Sequence, residues 1–190
     1  MDLTLTRRDL FFGMLATFAA GYTAALADGL FSSPDWYTLA NAAEQNKEQD
    51  VAALIRRGDN PNFLDSNGRM PLSYAAASGN TAILKMLLEA GARADYRDSS
   101  GATALHWAAQ MGHPEVIKML VEANATVDAQ NRQGITPLML AATNTKVEAI
   151  RVLVAAGADP KKQDFSGRDA IGWATGKPSS LRAVQSTQKH

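Results

Sequence analysis

The apolar positions after about residue 35 fall in short stretches with helical spacing. In residues 98–130, the positions that share one predicted helix face are Val116, Ile117, Leu120 and Val121. Thr103 can cap a first helix that runs to about Gln110, and Pro114 suits the first turn of a second helix. Two such short helices are not stable alone, so each pair must bury its apolar face against neighbouring units.

The same unit returns at a constant spacing along the chain, and the turn residues show it best. One series consists of Asp65, Asp98, Asn131 and Asp164, and a second of Gly68, Gly101, Gly134 and Gly167. A third series holds residue types that accept a left-handed backbone at a helix end: Gly58, Gly91, Asn124 and Gly157. The pattern predicts an all-α solenoid of helix-turn-helix units joined by β-turn or hairpin tips, with a continuous core.

Four short motifs within this period resemble the ankyrin repeat signature Thr-Pro-Leu-His-x-Ala-Ala. They lie at residues 70–76, 103–109, 136–142 and 169–175. The resemblance covers residues 35 to about 175 and implies an ankyrin-repeat solenoid of about four units and a partial fifth. The predicted organisation is an N-terminal capping unit at 35–64, repeats at 65–97, 98–130 and 131–163, a partial C-terminal capping repeat at 164–178 and a frayed or weakly helical tail at 179–190.

The start of the chain has the layout of an export signal. Arg7 and Arg8 precede an uncharged stretch at 10–27, whose small final residues form a signal-peptidase site between Ala27 and Asp28. The arginine pair with the threonine before it resembles the bacterial twin-arginine signal. That resemblance implies export in the folded state to the periplasm.

The predicted segments here are a signal peptide at 1–27 and a linker at 28–34. Two alternatives stay open. The first is the general secretory route, in which the arginine pair has no special role. The second is an uncleaved segment, because a run of about 18 apolar residues reaches the lower limit for spanning a bilayer. In that case the module is anchored to the inner membrane and faces the periplasm.

The charged residues balance, with 19 Lys and Arg against 19 Asp and Glu. The chain therefore has no net positive charge that would attract nucleic acid, and we predict no nucleic-acid partner.

The chain has no cysteine, which excludes disulfides and thiolate chemistry. The three histidines are scattered and form no zinc-binding pattern, and His106 is expected to hydrogen-bond within its turn. We therefore predict no enzyme, no cofactor and no metal site.

The family resemblance also implies where a partner protein binds, since ankyrin repeats use their turn tips and the concave edge of their first helices. Three apolar residues fall at such positions, with side chains expected to point away from the core: Met111, Ile135 and Phe165. Three arginines are predicted to form a rim around them: Arg69, Arg132 and Arg168. Apolar residues with arginine at the rim have the composition of an interface centre. The alternative is scattered exposure without function.

One repeat position holds an aromatic residue in three units, and we expect these side chains to pack in the core: Tyr74, Trp107 and Trp173.

The predicted function is that of a monomeric periplasmic module that binds an unidentified protein. In an alternative hypothesis, a membrane-tethered module supports a periplasmic redox or stress-defence enzyme, as resemblance to exported bacterial ankyrin proteins implies. A third hypothesis places an enzyme or small-molecule site within the repeat frame, and no converging set of polar residues favours it.

Overall fold

A computed structural model describes residues 38–176, which form nine helices and contain no strand. The helices are α1 (Leu39–Glu44), α2 (Glu48–Arg57), α3 (Pro71–Ser78), α4 (Thr81–Glu89), α5 (Ala104–Met111), α6 (Pro114–Glu122), α7 (Pro137–Thr143), α8 (Val147–Ala155) and α9 (Ala170–Thr175). The predicted all-α solenoid is confirmed for this part of the chain.

The helices stack in two rows. The odd-numbered helices pack against each other in order along the chain, and so do the even-numbered helices. Each even-numbered helix also packs against the odd-numbered helix that precedes it. The equivalent leucines of three repeats are fully buried between the rows: Leu72, Leu105 and Leu138. The apolar core therefore extends from repeat to repeat, as the period predicts.

Local chemistry sets the ends of the helices. Pro114 begins α6 as predicted, because its fixed φ angle suits the first turn and its missing N–H has no helical partner there. Thr103 lies at the N-cap of α5, also as predicted. Asn124 takes a left-handed φ of 61°, close to the conformation of Gly91, which has a φ of 89°. The third turn series therefore shares one backbone geometry.

Neighbouring turn tips are joined by hydrogen bonds along one edge of the stack. The backbone N–H of Arg132 donates to the carbonyl of Ser100 at 3.1 Å, and the next tip repeats the bond. There the N–H of Phe165 donates to the carbonyl of Gln133 at 3.2 Å. These bonds fix each tip relative to the one before it without forming a strand in the described range.

A second row of hydrogen bonds joins the loops that follow the even-numbered helices. Oδ1 of Asp95 accepts the backbone N–H of Thr126 at 2.7 Å, and its Oδ2 accepts the hydroxyl of the same residue. The equivalent side chains that reach the next repeat are Asn62 and Asp128. Sequence reasoning did not single out this series, although its members recur with the period of the turn residues.

The predicted units map onto the helices as follows. Each of the repeats at 65–97, 98–130 and 131–163 contains one helix pair, and the partial unit at 164–178 contributes α9. The described part of the predicted N-terminal cap contains α1 and α2. The segments predicted at 1–27, 28–34 and 179–190 lie outside the described residues.

Candidate functional site

A single side chain organises each described turn tip from within. Oδ1 of Asp98 accepts the backbone N–H groups of Ser100 and Ala102 at 2.8 and 3.0 Å. The same pair of bonds is made in the other tips by Asp65, Asn131 and Asp164. Burial raises the pKa of Asp98, but hydrogen bonds from Ser100, Trp107 and the backbone outweigh burial, so that the pKa is lowered. These aspartates are turn formers, as predicted.

Each of the three carboxylates also accepts a hydrogen bond from an aromatic side chain at a fixed position later in its repeat. The bonds are Tyr74 Oη to Asp65 at 2.5 Å, Trp107 Nε1 to Asp98 at 3.0 Å and Trp173 Nε1 to Asp164 at 2.9 Å. Where Asn131 replaces the aspartate, Leu140 replaces the aromatic residue. Tyr74 is buried as predicted, but both tryptophans are only partly buried. The joint replacement in one repeat is the sequence signal for this bond, and our sequence analysis missed it.

Two of the predicted rim arginines stack on the tryptophan rings. The guanidinium carbon of Arg69 lies 4.0 Å from the ring centroid of Trp107 in the next repeat. The guanidinium of Arg168 lies 4.1 Å from the ring of Trp173, and its Nη2 lies 3.1 Å from Oδ2 of Asp164. A guanidinium over an aromatic face contributes about 0.5–1 kcal/mol at exposed sites. Both arginines therefore stabilise the tips while they present charge at the surface.

An open pocket of about 430 Å³, here called the turn-tip pocket, lies at the last described tip. Its lining residues are Gln133, Ile135, Asp164, Phe165, Ser166, Arg168 and Trp173. The ring of Phe165 packs over Gly134, where an added Cβ would lie 2.7 Å from Cδ1 of the phenyl ring. Gly134 also has a left-handed φ of 78°. A glycine at this position therefore lets the phenyl ring lie against the backbone of the neighbouring tip.

Comparison with family models decides the identity of the fold. A model described as "Ankyrin repeats (3 copies)" matches residues 39–131, and one described as "Ankyrin repeat" matches residues 133–165. The chain belongs to the ankyrin repeat family. No curated protein matches the chain. Ankyrin repeats generally mediate protein–protein interactions, and ankyrin repeat proteins are typically non-enzymatic interaction modules.

The prediction that Ile135 points away from the ankyrin core is wrong. Its side chain is 5% exposed and belongs to the apolar core. The turn folds back so that the N–H of Ile135 donates to Oδ1 of Asn131 at 3.0 Å. At the same repeat position Ala102 is buried, whereas Arg69 and Arg168 are partly exposed. A short or branched side chain stays under the turn, and only a long, flexible stem extends past it.

The other predicted contact residues differ in whether they line the turn-tip pocket. Phe165 is 75% exposed, and Met111 is exposed as well, so the expected position of these two side chains is confirmed. Phe165 and Arg168 line the turn-tip pocket, whereas Met111, Arg69 and Arg132 do not. The six residues therefore do not form one ring around a centre. Their role in partner binding stays a prediction.

His106 links one ankyrin tip to the next, which confirms the expected hydrogen bond within the turn. Its Nδ1 accepts the backbone N–H of Thr103 at 3.1 Å and lies 2.9 Å from the Thr103 hydroxyl. Its Nε2 donates to the carbonyl of Ile135 at 3.0 Å, which requires the neutral tautomer protonated at Nε2. Burial lowers the pKa of His106 to about 4. The ring is a neutral structural element at physiological pH.

The predicted signal residues Arg7, Arg8, Ala27 and Asp28 lie outside the described residues. Between residues 38 and 176, no helix is long and apolar enough to cross a membrane. The same range holds no cluster of three or more His, Asp or Glu side chains suited to a metal ion.

Proposed function

We propose that this ankyrin repeat protein is an exported, non-enzymatic module that binds a partner protein through its turn tips and the adjoining ends of its first helices. The observation that carries this proposal is Phe165, a large apolar side chain that is 75% exposed at the edge of the turn-tip pocket. Arg168 lies beside it and Arg132 is exposed one tip earlier. Aromatic residues and arginine are the residue types most enriched among interface anchors.

The anchor is held in place before any partner arrives. The backbone of Phe165 is bonded to the neighbouring tip, and its ring packs over Gly134. Little side-chain freedom then remains to be lost on binding, which favours affinity. A partner side chain that enters the turn-tip pocket would contact two aromatic residues that line it, Phe165 and Trp173.

Site-specific cross-linking tests the surface. A photoreactive residue at Ser166, which lines the pocket, should capture a partner protein, and the same group at exposed Glu122 on α6 should not. With the captured protein purified, Phe165→Ala should weaken binding by about 10-fold, the loss of a typical anchor. The matched control is Phe63→Ala, which removes another phenyl ring, 63% exposed, that lies outside the pocket. Equal effects of the two variants would refute the assignment.

The compartment is part of the proposal and has its own tests. Intact-mass measurement of the exported protein should place its N-terminus at Asp28. Replacing Arg7 and Arg8 by Lys should leave the precursor in the cytoplasm, whereas normal export of that variant would assign the general secretory route. Retention of residues 1–27 would support the alternative, a module tethered to the inner membrane that assists a periplasmic redox or stress-defence enzyme.

A further inference from the structure

Charge is distributed unequally between the two rows of helices. The first helices α3, α5 and α7 contain no Asp, Glu, Lys or Arg. The second helices α4, α6 and α8 each pair a cation with a glutamate on the same helix: Lys85 with Glu89, Lys118 with Glu115 and Arg151 with Glu148. The cations on these second helices therefore already have carboxylate partners.

The turn tips differ, because their carboxylates are used within the tips. Three aspartates accept hydrogen bonds from the backbone of their own tips: Asp65, Asp98 and Asp164. The side chain of Arg168 forms an ion pair with Asp164 at 3.1 Å. In contrast, Arg69 and Arg132 form no ion pair with any described residue. The row of turn tips therefore carries positive charge without a carboxylate partner.

Arg132 is the tip cation best placed to bind an anion. The guanidinium of Arg69 stacks on Trp107, whereas that of Arg132 contacts no aromatic ring and makes no hydrogen bond within residues 38–176. The stem of Arg132 is nevertheless supported, since a Cβ added at Gly101 would lie 3.0 Å from its Cγ. Its side chain is exposed. Arg132 therefore presents an available charge to solvent from a supported position.

Arg132 and Phe165 occupy the same repeat position on neighbouring tips. Each side chain lies against the glycine of the preceding tip, Arg132 against Gly101 and Phe165 against Gly134. An available cation and an exposed aromatic ring are thus neighbours along the tip row. Packed helices lie about 8–10 Å apart, and equivalent points on adjacent tips are separated by roughly the same distance.

We propose that the partner segment bound by the turn tips is an extended acidic peptide, in which a carboxylate pairs with Arg132 and an apolar side chain three residues away contacts Phe165. The proposal rests on the proposed function, because it uses the same surface. A polyproline II chain returns to the same side after three residues and about 9 Å, which matches the separation of the tips. A guanidinium can bind a carboxylate through two hydrogen bonds, which would fix the register of the peptide.

Nucleic acid suits this surface less well. A protein that binds DNA through its phosphates typically neutralises about 6–10 of them. Among the described tips, only Arg69 and Arg132 are arginines without an ion pair, and Arg69 is already stacked on Trp107. One peptide carboxylate requires one available guanidinium, which Arg132 supplies.

Selection from a library of random peptides tests the chemistry of the segment. Peptides of about twelve residues selected on the full chain should be enriched in Asp or Glu three positions from a large apolar residue. The same selection on the Arg132→Glu variant should lose the acidic residue. Enrichment of peptides without an acidic residue, or no enrichment, would overturn this inference. Cross-linking from Ser166 tests the proposed function separately, because it can capture a folded partner even when no short peptide binds.

Fluorescence anisotropy with the most enriched peptide then tests the residue. Arg132→Gln should weaken binding about 5-fold, the upper end for an exposed ion pair, and should reduce its dependence on salt. The matched control is Arg93→Gln, which removes an exposed arginine from the loop after α4 and should leave affinity unchanged. Equal effects of the two variants would overturn the inference.

A charge exchange separates direct pairing from a structural effect of the substitution. Arg132→Glu should bind the selected peptide more weakly than the same peptide with Lys in place of its acidic residue. The opposite preference would refute the pairing with Arg132. A labelled single-stranded oligonucleotide that binds the wild type more tightly than the peptide does would assign the tip row to nucleic acid and would also overturn the proposal.

Discussion

Replacing Asp98 by Ala should be among the most destabilising changes at any turn tip. The carboxylate accepts two backbone N–H groups and the indole N–H of Trp107, and the N–H of Ala102 is buried. Each buried donor left without an acceptor costs about 1–3 kcal/mol, and water can replace part of that loss at the more exposed Ser100. We expect a loss of about 3 kcal/mol in the free energy of unfolding, which corresponds to a fall in Tm of about 10 °C.

The molecule contains its own precedent for a milder change. Asn131 holds the equivalent two N–H groups at 2.9 and 3.0 Å with a neutral amide oxygen, in the repeat that lacks the aromatic donor. Asp98→Asn should therefore keep both backbone bonds and lose only the bond to Trp107, where an amide N–H₂ meets another donor. The expected loss is about 1 kcal/mol, clearly smaller than for Ala.

Urea unfolding followed by circular dichroism at pH 7 measures both variants, with Glu122→Ala on α6 as a control for the loss of an exposed carboxylate. The pKa of Asp98 in the folded state is lowered from its ordinary value of 3.8. Its charge therefore stabilises the fold above that value and ceases to do so as the pH falls through the folded-state pKa. Equal losses for Ala and Asn would refute the assignment of the backbone bonds as the main contribution.

Three further predictions concern single side chains. The pKa of His106 in the folded state is about 4, below its ordinary value of 6.5, so stability should fall as the pH drops from about 6.5 to 4. His106→Met should reduce that slope in unfolding curves recorded across this range, and an unchanged slope would contradict the assignment. Gly134→Ala should lower the Tm more than Gly157→Ala. Both glycines have a positive φ, but a Cβ added at Gly134 would lie within 4 Å of Phe165, whereas one added at Gly157 would have no atom within 4 Å. Equal shifts in Tm would contradict the packing of Phe165 over Gly134. Arg69→Ala should cost about 1 kcal/mol in urea unfolding through the loss of its stacking on an indole ring, and an unchanged midpoint would contradict that contact.

The sequence by itself determined the fold, because the signals for an ankyrin repeat are local. Pro114 suits the first turn of a helix and not its interior, and Asn124 accepts the left-handed backbone that ends a helix, so these helix boundaries follow from residue types. The constant period then requires that equivalent faces stack, because no single helix pair can bury its own apolar residues. Helix pairs, stacking order and the position of the tips were all predictable on these grounds.

The tertiary structure alone decided which side chains of a tip reach the surface. Ile135 and Arg69 occupy the same repeat position, yet one is buried and the other stacks on the next repeat. Spacing along the chain cannot distinguish them, because the outcome depends on side-chain length and on how far the turn folds back over the adjacent tip. The predicted group of three apolar anchors failed at Ile135 for this reason.

The contacts that build the turn-tip pocket also lay beyond local signals. The phenyl ring of Phe165 occupies space that exists because Gly134, a residue of the preceding tip, has no Cβ. Its backbone is held by Gln133, which belongs to that same preceding tip. Such contacts depend on the rise and rotation between successive repeats, which the packing of the whole stack sets and which no window of the sequence contains.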